Sequence, residues 1–344
     1  MIFPVMNTRF RATRLLALGL VLCVLPMAAQ KKKDQMQKPI AGPRATALRI
    51  TWLYVSASVE AQKVDRVQIG REMVVAEKSG DWLRVYANTD SEEEHSADEP
   101  IFDTSDVPPP ISGWMQAKGV VIENTPNGDQ ILMGAGAEQE SLASDPRGPL
   151  NAARTAHLLY RRLVDMYPNS PLAAEASWRA ADILWQIQKS DTSSRPSAKE
   201  QAPYMREQID EDPLKHVIKN YPHTREADLA AFELLDNKLC GDWQGQAKCP
   251  EKESEVYEKY ATEHPDGPRT AQALYLATYR QGVLTDMYAA DNNDKKSEDA
   301  HAHARELAAK LREKFPQTDY AARATTLVFK LDQGIPVYGI ERQQ

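Results

Sequence analysis

Cysteine is scarce, at three in 344 residues, and one of the three, Cys23, lies in the leader-like first thirty residues. A disulfide-dense scaffold is thereby excluded. Long apolar runs are absent too. The longest, residues 15–25, has eleven residues, whereas a membrane-spanning helix needs roughly 20. Positive charge is in deficit: 42 Lys and Arg stand against 49 Asp and Glu, a net charge of −7. Such a balance disfavours nucleic acid, which binds through phosphate neutralisation, and anionic lipid. Catalytic signatures are missing as well. The chain has no Gly-x-Ser-x-Gly elbow, no phosphate-cradling Gly-rich loop and no His-Glu-x-x-His. His301 and His303 stand two apart, so a helix would point them to different faces. We therefore expect a non-enzymatic protein with no cofactor and no metal site.

What is present begins with an export signal. Arg9, Arg11 and Arg14 precede the apolar run, Pro26 ends it, and Ala28 and Ala29 follow. That order is a secretory signal peptide over residues 1–30, which predicts a periplasmic or extracellular protein with no transmembrane span in the mature chain. Removing three arginines and no acid leaves 39 bases against 49 acids, a net of −10. It also leaves two cysteines, Cys240 and Cys249. In an oxidising compartment an isolated pair is a disulfide candidate.

Residues 31–45 are polar and basic and read as a flexible lead-in. Strand-like segments follow at 47–55, 64–68, 72–77, 82–86 and 113–122. In the fourth, Trp82, Arg84 and Tyr86 alternate with Leu83 and Val85. Ser79-Gly80-Asp81 before it is a hairpin turn signal. Short strands with tight turns in under 80 residues predict a small β barrel over 46–122. An insertion at 88–110 interrupts it, carrying Asp90, Glu92, Glu93, Glu94, Asp98, Glu99, Asp103 and Asp106 with no Lys or Arg. It reads as a solvated loop. Residues 123–149, with three glycines, two prolines and a further glycine, read as a linker.

From residue 150 the composition turns helical, and four strings line up: Tyr167-Pro168-Asn169-Ser170, Tyr221-Pro222-His223-Thr224, His264-Pro265-Asp266-Gly267 and Phe315-Pro316-Gln317-Thr318. Each sets a ring before Pro and a polar then a small residue after it. Eight residues before each Pro stand Tyr160, Leu214, Tyr257 and Ala308; five before stand Leu163, Val217, Tyr260 and Leu311. Five after stand Ala173, Ala227, Thr270 and Ala321; eight after stand Ala176, Ala230, Ala273 and Ala324. Three-residue spacing puts each pair on one helical face. Proline cannot continue the first helix, so the unit is helix, Pro turn, helix. The Pro-to-Pro intervals of 54, 43 and 51 place extra residues near 189–203, 241–250 and 289–297, the second bracketed by Cys240 and Cys249.

These offsets resemble tetratricopeptide repeats, in the variant found in envelope-assembly lipoproteins, over residues 150–335, with a tail at 336–344. The β region resembles bacterial SH3 domains through Gly70 before Met73-Val74-Val75, Gly80-Asp81-Trp82-Leu83, and Gly113-Trp114-Met115. The fold class implied is multidomain: a small all-β SH3-like barrel followed by an all-α solenoid. The SH3 resemblance implies binding of a protein, peptide or peptidoglycan; Trp82 and Trp114 are candidate binding aromatics, and Trp52 and Tyr54 join them because alternation in the first strand leaves one of the two exposed. The expected function is an exported scaffold for protein–protein contacts in the cell envelope, with a peptidoglycan-binding accessory as the alternative.

Overall fold

The computed structural model describes residues 41–90, 110–194, 208–240, 243 and 245–338. The signal peptide, most of the lead-in, residues 91–109 of the acidic insertion and the last six residues lie outside them. The described residues form one contact unit. Its N-terminal part is a seven-stranded antiparallel sheet; its C-terminal part holds nine α-helices among the described residues.

The strands are β1 (Arg44–Ala47), β2 (Thr51–Tyr54), β3 (Lys63–Val67), β4 (Glu72–Ser79), β5 (Trp82–Ala87), β6 (Ile111–Gln116) and β7 (Val120–Ile122), in the spatial order β3-β2-β6-β5-β4-β1-β7. Period-2 alternation sorts the side chains. Leu53, Val67, Met73, Val75, Leu83, Val85 and Met115 point inward and form one core with Ala45, Ala47 and Ala87. Two expectations change here. The first expected strand is two, since the chain turns between Ala47 and Thr51. The lead-in also ends earlier than residue 45. Arg44 begins β1 and Ala45 is fully buried against β4 and β7; alanine carries too weak an apolar signal to reveal that.

The helices are α1 (Gly128–Ala143), α2 (Ala152–Met166), α3 (Ala173–Ser194), α4 (Asp212–Asn220), α5 (Arg225–Glu233), α6 (Lys248–Glu263), α7 (Thr270–Ala290), α8 (Asp294–Lys314) and α9 (Asp319–Asp332). The expected linker at 123–149 is instead occupied by α1. Its glycines are contact residues: a Cβ on Gly136 would stand 2.5 Å from the Tyr160 ring of α2. A glycine-rich string thus reads as loop in sequence when it marks close helix approach in three dimensions.

The Pro turns share one geometry. Tyr167, Tyr221, His264 and Phe315 each cap a helix with φ between −132° and −123° and ψ between 48° and 62°. Proline pushes its predecessor out of the α region, which fixes this exit. Each cap N–H donates to the carbonyl four residues back, Leu163, Val217, Tyr260 or Leu311, at 2.8–3.0 Å. After the turn, Thr224 and Thr318 cap the next helix, accepting from Ala227 N at 3.2 Å and Ala321 N at 3.3 Å. All sixteen residues at the four shared offsets are buried. The third spacing excess, near 289–297, is not a loop: α7 and α8 run to 21 residues each and leave only three between them.

The sheet sits directly on the helices. Leu48, Ile69 and Val121 pack with Leu132, Leu159 and Leu163, and Tyr167 Oη donates to Ile122 O at 3.0 Å. Asp90, expected as part of a solvated acidic loop, is fully buried and meets Arg71 at 2.9 Å. Arg162 of α2, also fully buried, lies 2.6 Å from Glu72 and 3.8 Å from Asp90. A carboxylate held between two guanidiniums can leave water; its neighbours in the insertion have no such partner in sequence view, so charge alone did not separate it from them. No helix among the described residues is long and apolar enough to cross a membrane.

Candidate binding face on the sheet

Trp52, Tyr54, Trp82 and Trp114 come together on the outer face of the sheet. The register links Lys63 to Tyr54, Tyr54 to Trp114, Trp114 to Arg84 and Arg84 to Glu77, a single row across β3, β2, β6, β5 and β4. Tyr54 and Trp114 are half-buried in that row, while Lys63, Arg84 and Glu77 are exposed. Trp82 meets Tyr54 edge-on, with ring centroids 5.6 Å apart, an arrangement that suits the ring quadrupoles. Trp52 is the most exposed of the four, at 38%.

Two cations stand over Trp52. Lys63 Nζ lies 4.7 Å and the Arg66 guanidinium 5.3 Å from its ring centroid. Lys63 and Arg66 are three residues apart, so a regular strand would send them to opposite faces. The register between β2 and β3 shifts between Trp52 and Tyr54, and this irregularity turns both cations to the same side. Ile50 and Val55 flank β2, Val59 lies in the β2–β3 turn and Val64 follows Lys63 on β3; all four are exposed, at 51%, 59%, 54% and 45%. The result is an apolar, positively charged patch on a chain of net negative charge.

The helical part carries a second aromatic cluster, which sequence reading did not single out. Glu253 is buried, accepts from Cys240 N at 2.8 Å, and lies 3.1 Å from Arg280 Nε. The Arg280 guanidinium stands over Tyr257 at 5.0 Å and Trp243 at 5.5 Å. Trp243 belongs to the loop closed by the Cys240–Cys249 disulfide, whose Cα atoms are 5.9 Å apart. Tyr338, from the segment after α9, packs on Trp243 at 5.9 Å, and Asp286 accepts from both Val337 N and Tyr338 N. Two adjoining hollows of about 530 and 740 Å³ run between α6 and α8, sharing Glu258. His303 Nε2 lies 2.9 Å from that carboxylate, and His301 pairs with Asp332.

Burial pushes Glu233 up to about 7, with Asp182 and Asp236 adding negative charge nearby. Asp182 is raised by burial as well.

No family model matches the chain, and no curated protein matches it. Two solved structures, the DHF58 filament and the DHF79 filament, align at 16% and 15% identity over 60% and 58% of this chain and 91% and 95% of theirs. Their TM-scores of 0.22 and 0.21 carry no argument about fold or function.

Proposed function

We propose that the chain is an exported, non-enzymatic scaffold that binds protein partners in the cell envelope, through a bacterial-SH3-like module and a tetratricopeptide-like array. The module reading is supported by seven short antiparallel strands that share one apolar core. The array reading is supported by four Pro turns of one geometry with sixteen buried residues at matching offsets.

The observation that carries the binding role is the row of Lys63, Tyr54, Trp114 and Arg84 on the outer face, with Trp52 beside it. Aromatic side chains left half-exposed beside cations are the composition of contact surfaces, where Tyr, Trp and Arg are enriched. Peptidoglycan is the second reading, favoured by the same aromatic side chains. Stacking on a sugar ring needs a bare aromatic face, and the two cations over Trp52 weigh against it.

The test uses the mature full chain and a Trp52→Ala/Trp114→Ala variant in two assays. The scaffold reading predicts capture of specific polypeptides from an envelope extract, lost in the variant, and no sedimentation with purified peptidoglycan. Sedimentation abolished by the variant transfers the function to the wall. Neither activity in either assay removes the sheet face from the account.

A further inference from the structure

Resting on that scaffold reading, we infer that the outer face of the sheet receives an acidic segment of a partner protein, laid across β3, β2, β6 and β5 with its carboxylates on Lys63, Arg66 and Arg84.

Charge complementarity carries the choice of partner. Three cations project from this face, and two of them are held in place over Trp52 at 4.7 and 5.3 Å. Cations docked on an indole are oriented before a ligand arrives, so less side-chain entropy is lost on binding. Among the described residues, none of the three makes an ion pair with a carboxylate. Asp65 Oδ1 accepts from the Arg66 backbone N–H at 2.7 Å; Glu77, directly opposite Arg84 on β4, offsets part of that cation's charge and is the far end of the row from Lys63. Glu60 is in the β2–β3 turn, where Ser58 Oγ accepts from its N–H.

The apolar rim adds a second requirement. Ile50, Val55, Val59 and Val64, all exposed, lie in or next to β2 and β3, the strands that carry Trp52, Lys63 and Arg66, so the segment that fits carries apolar side chains among its carboxylates. A purely polyanionic ligand would leave that rim wet.

Backbone pairing is not the mode. β3 is a terminal strand and pairs with β2 alone among the described residues. It is five residues long, carries three charged side chains and contains the register shift. Short, charged, irregular edges resist strand addition. The ligand therefore lies on the face, held by side chains.

The experiment is fluorescence anisotropy on the full mature chain. The probe is a labelled peptide of alternating Glu and Val with interspersed Ser; its counterpart has Lys for every Glu. We expect saturable binding of the acidic peptide, weakening with added salt, and no binding of the basic one. Lys63→Glu and Arg66→Glu are each expected to weaken it about tenfold. Backbone N-methylation of the acidic peptide is expected to leave affinity unchanged. Equal binding of both peptides, or affinity unmoved by Arg66→Glu, overturns the inference; abolition by N-methylation overturns the face-on mode. The peptide comparison on the unaltered chain stands even if a variant misfolds. Sedimentation velocity reads the remaining occupant: a dimer dispersed by Arg66→Glu assigns the face to a second copy of this chain and overturns the partner. Failure here with envelope capture still dependent on Trp52 and Trp114 leaves the scaffold reading standing; failure of both removes it.

Discussion

Arg162 of α2 lies 2.6 Å from the Glu72 carboxylate of β4, with its side chain fully buried. Asp90 and Asp165 stand 3.8 and 3.2 Å away, so one guanidinium holds carboxylates from the sheet and from its own helix. This contact, with the apolar seam of Leu48, Ile69 and Val121, fastens the sheet to the helices. Truncating one partner of a buried ion pair leaves the other charge uncompensated and costs about 3–5 kcal/mol. Arg162→Leu is expected to lower the unfolding free energy by that amount, read as a lower urea midpoint at unchanged slope, and Arg162→Lys to recover only part, because an ammonium lacks the planar fork. A midpoint unchanged in both variants would show that the ions do not fasten the two parts.

Two glycines in α1 give opposite expectations. A Cβ at Gly136 meets the Tyr160 ring, whereas one at Gly134 meets nothing within 4 Å. Gly136→Ala is expected to destabilise by about 1–3 kcal/mol through overpacking. Gly134→Ala is expected to stabilise by about 0.5–1 kcal/mol, through helix propensity. Thermal melts of the two variants should move in opposite directions.

Glu233 predicts a pH dependence. Its carboxyl is raised from 4.5 to about 7 in the folded state, so between those values the folded chain holds a proton that the unfolded chain has lost. Its contribution to stability therefore falls as pH rises from about 4.5 to about 7 and is flat outside that window. Glu233→Gln is expected to flatten this part of the stability curve, measured by denaturant midpoints across the window. A curve of the same slope in the variant would refute the assignment.

The disulfide should act locally. Cys240 and Cys249 are nine residues apart, and a loop that short is worth up to about 2.5 kcal/mol in the chain-entropy model. Cys240→Ser/Cys249→Ser is expected to change near-ultraviolet dichroism through Trp243, which packs on Tyr338 and Arg280. Far-ultraviolet helix signal should persist. Loss of helix on reduction would make the bridge a global element.

Much of this arrangement was legible in the residues. The Pro turns and their sixteen buried offsets follow from a periodic pattern, and alternation in Trp82–Tyr86 marked the outward set with Arg84 in it. Other features were hidden for physical reasons. α1 was masked by glycines that serve contact, and β1 by alanines that bury without an apolar signal. The fate of Asp90 depends on Arg71 and Arg162, the second of which is 72 positions away along the chain. Lys63 and Arg66 reach Trp52 only because the β2–β3 register slips, and no spacing rule reports a slip. The contact of Tyr338 with Trp243 likewise joins two segments with no shared pattern.

The most direct measurement places a photo-crosslinking residue at Ser112, exposed on the outer face opposite Tyr86, with Lys330 on α9, exposed and outside both hollows, as the comparison site. The chain is expressed in its host and irradiated. A scaffold that binds through the sheet predicts discrete adducts with another envelope polypeptide from position 112, diminished by Arg66→Glu, and few from position 330. Adducts no more frequent at 112 than at 330, or adducts only to cell-wall glycan, would contradict it.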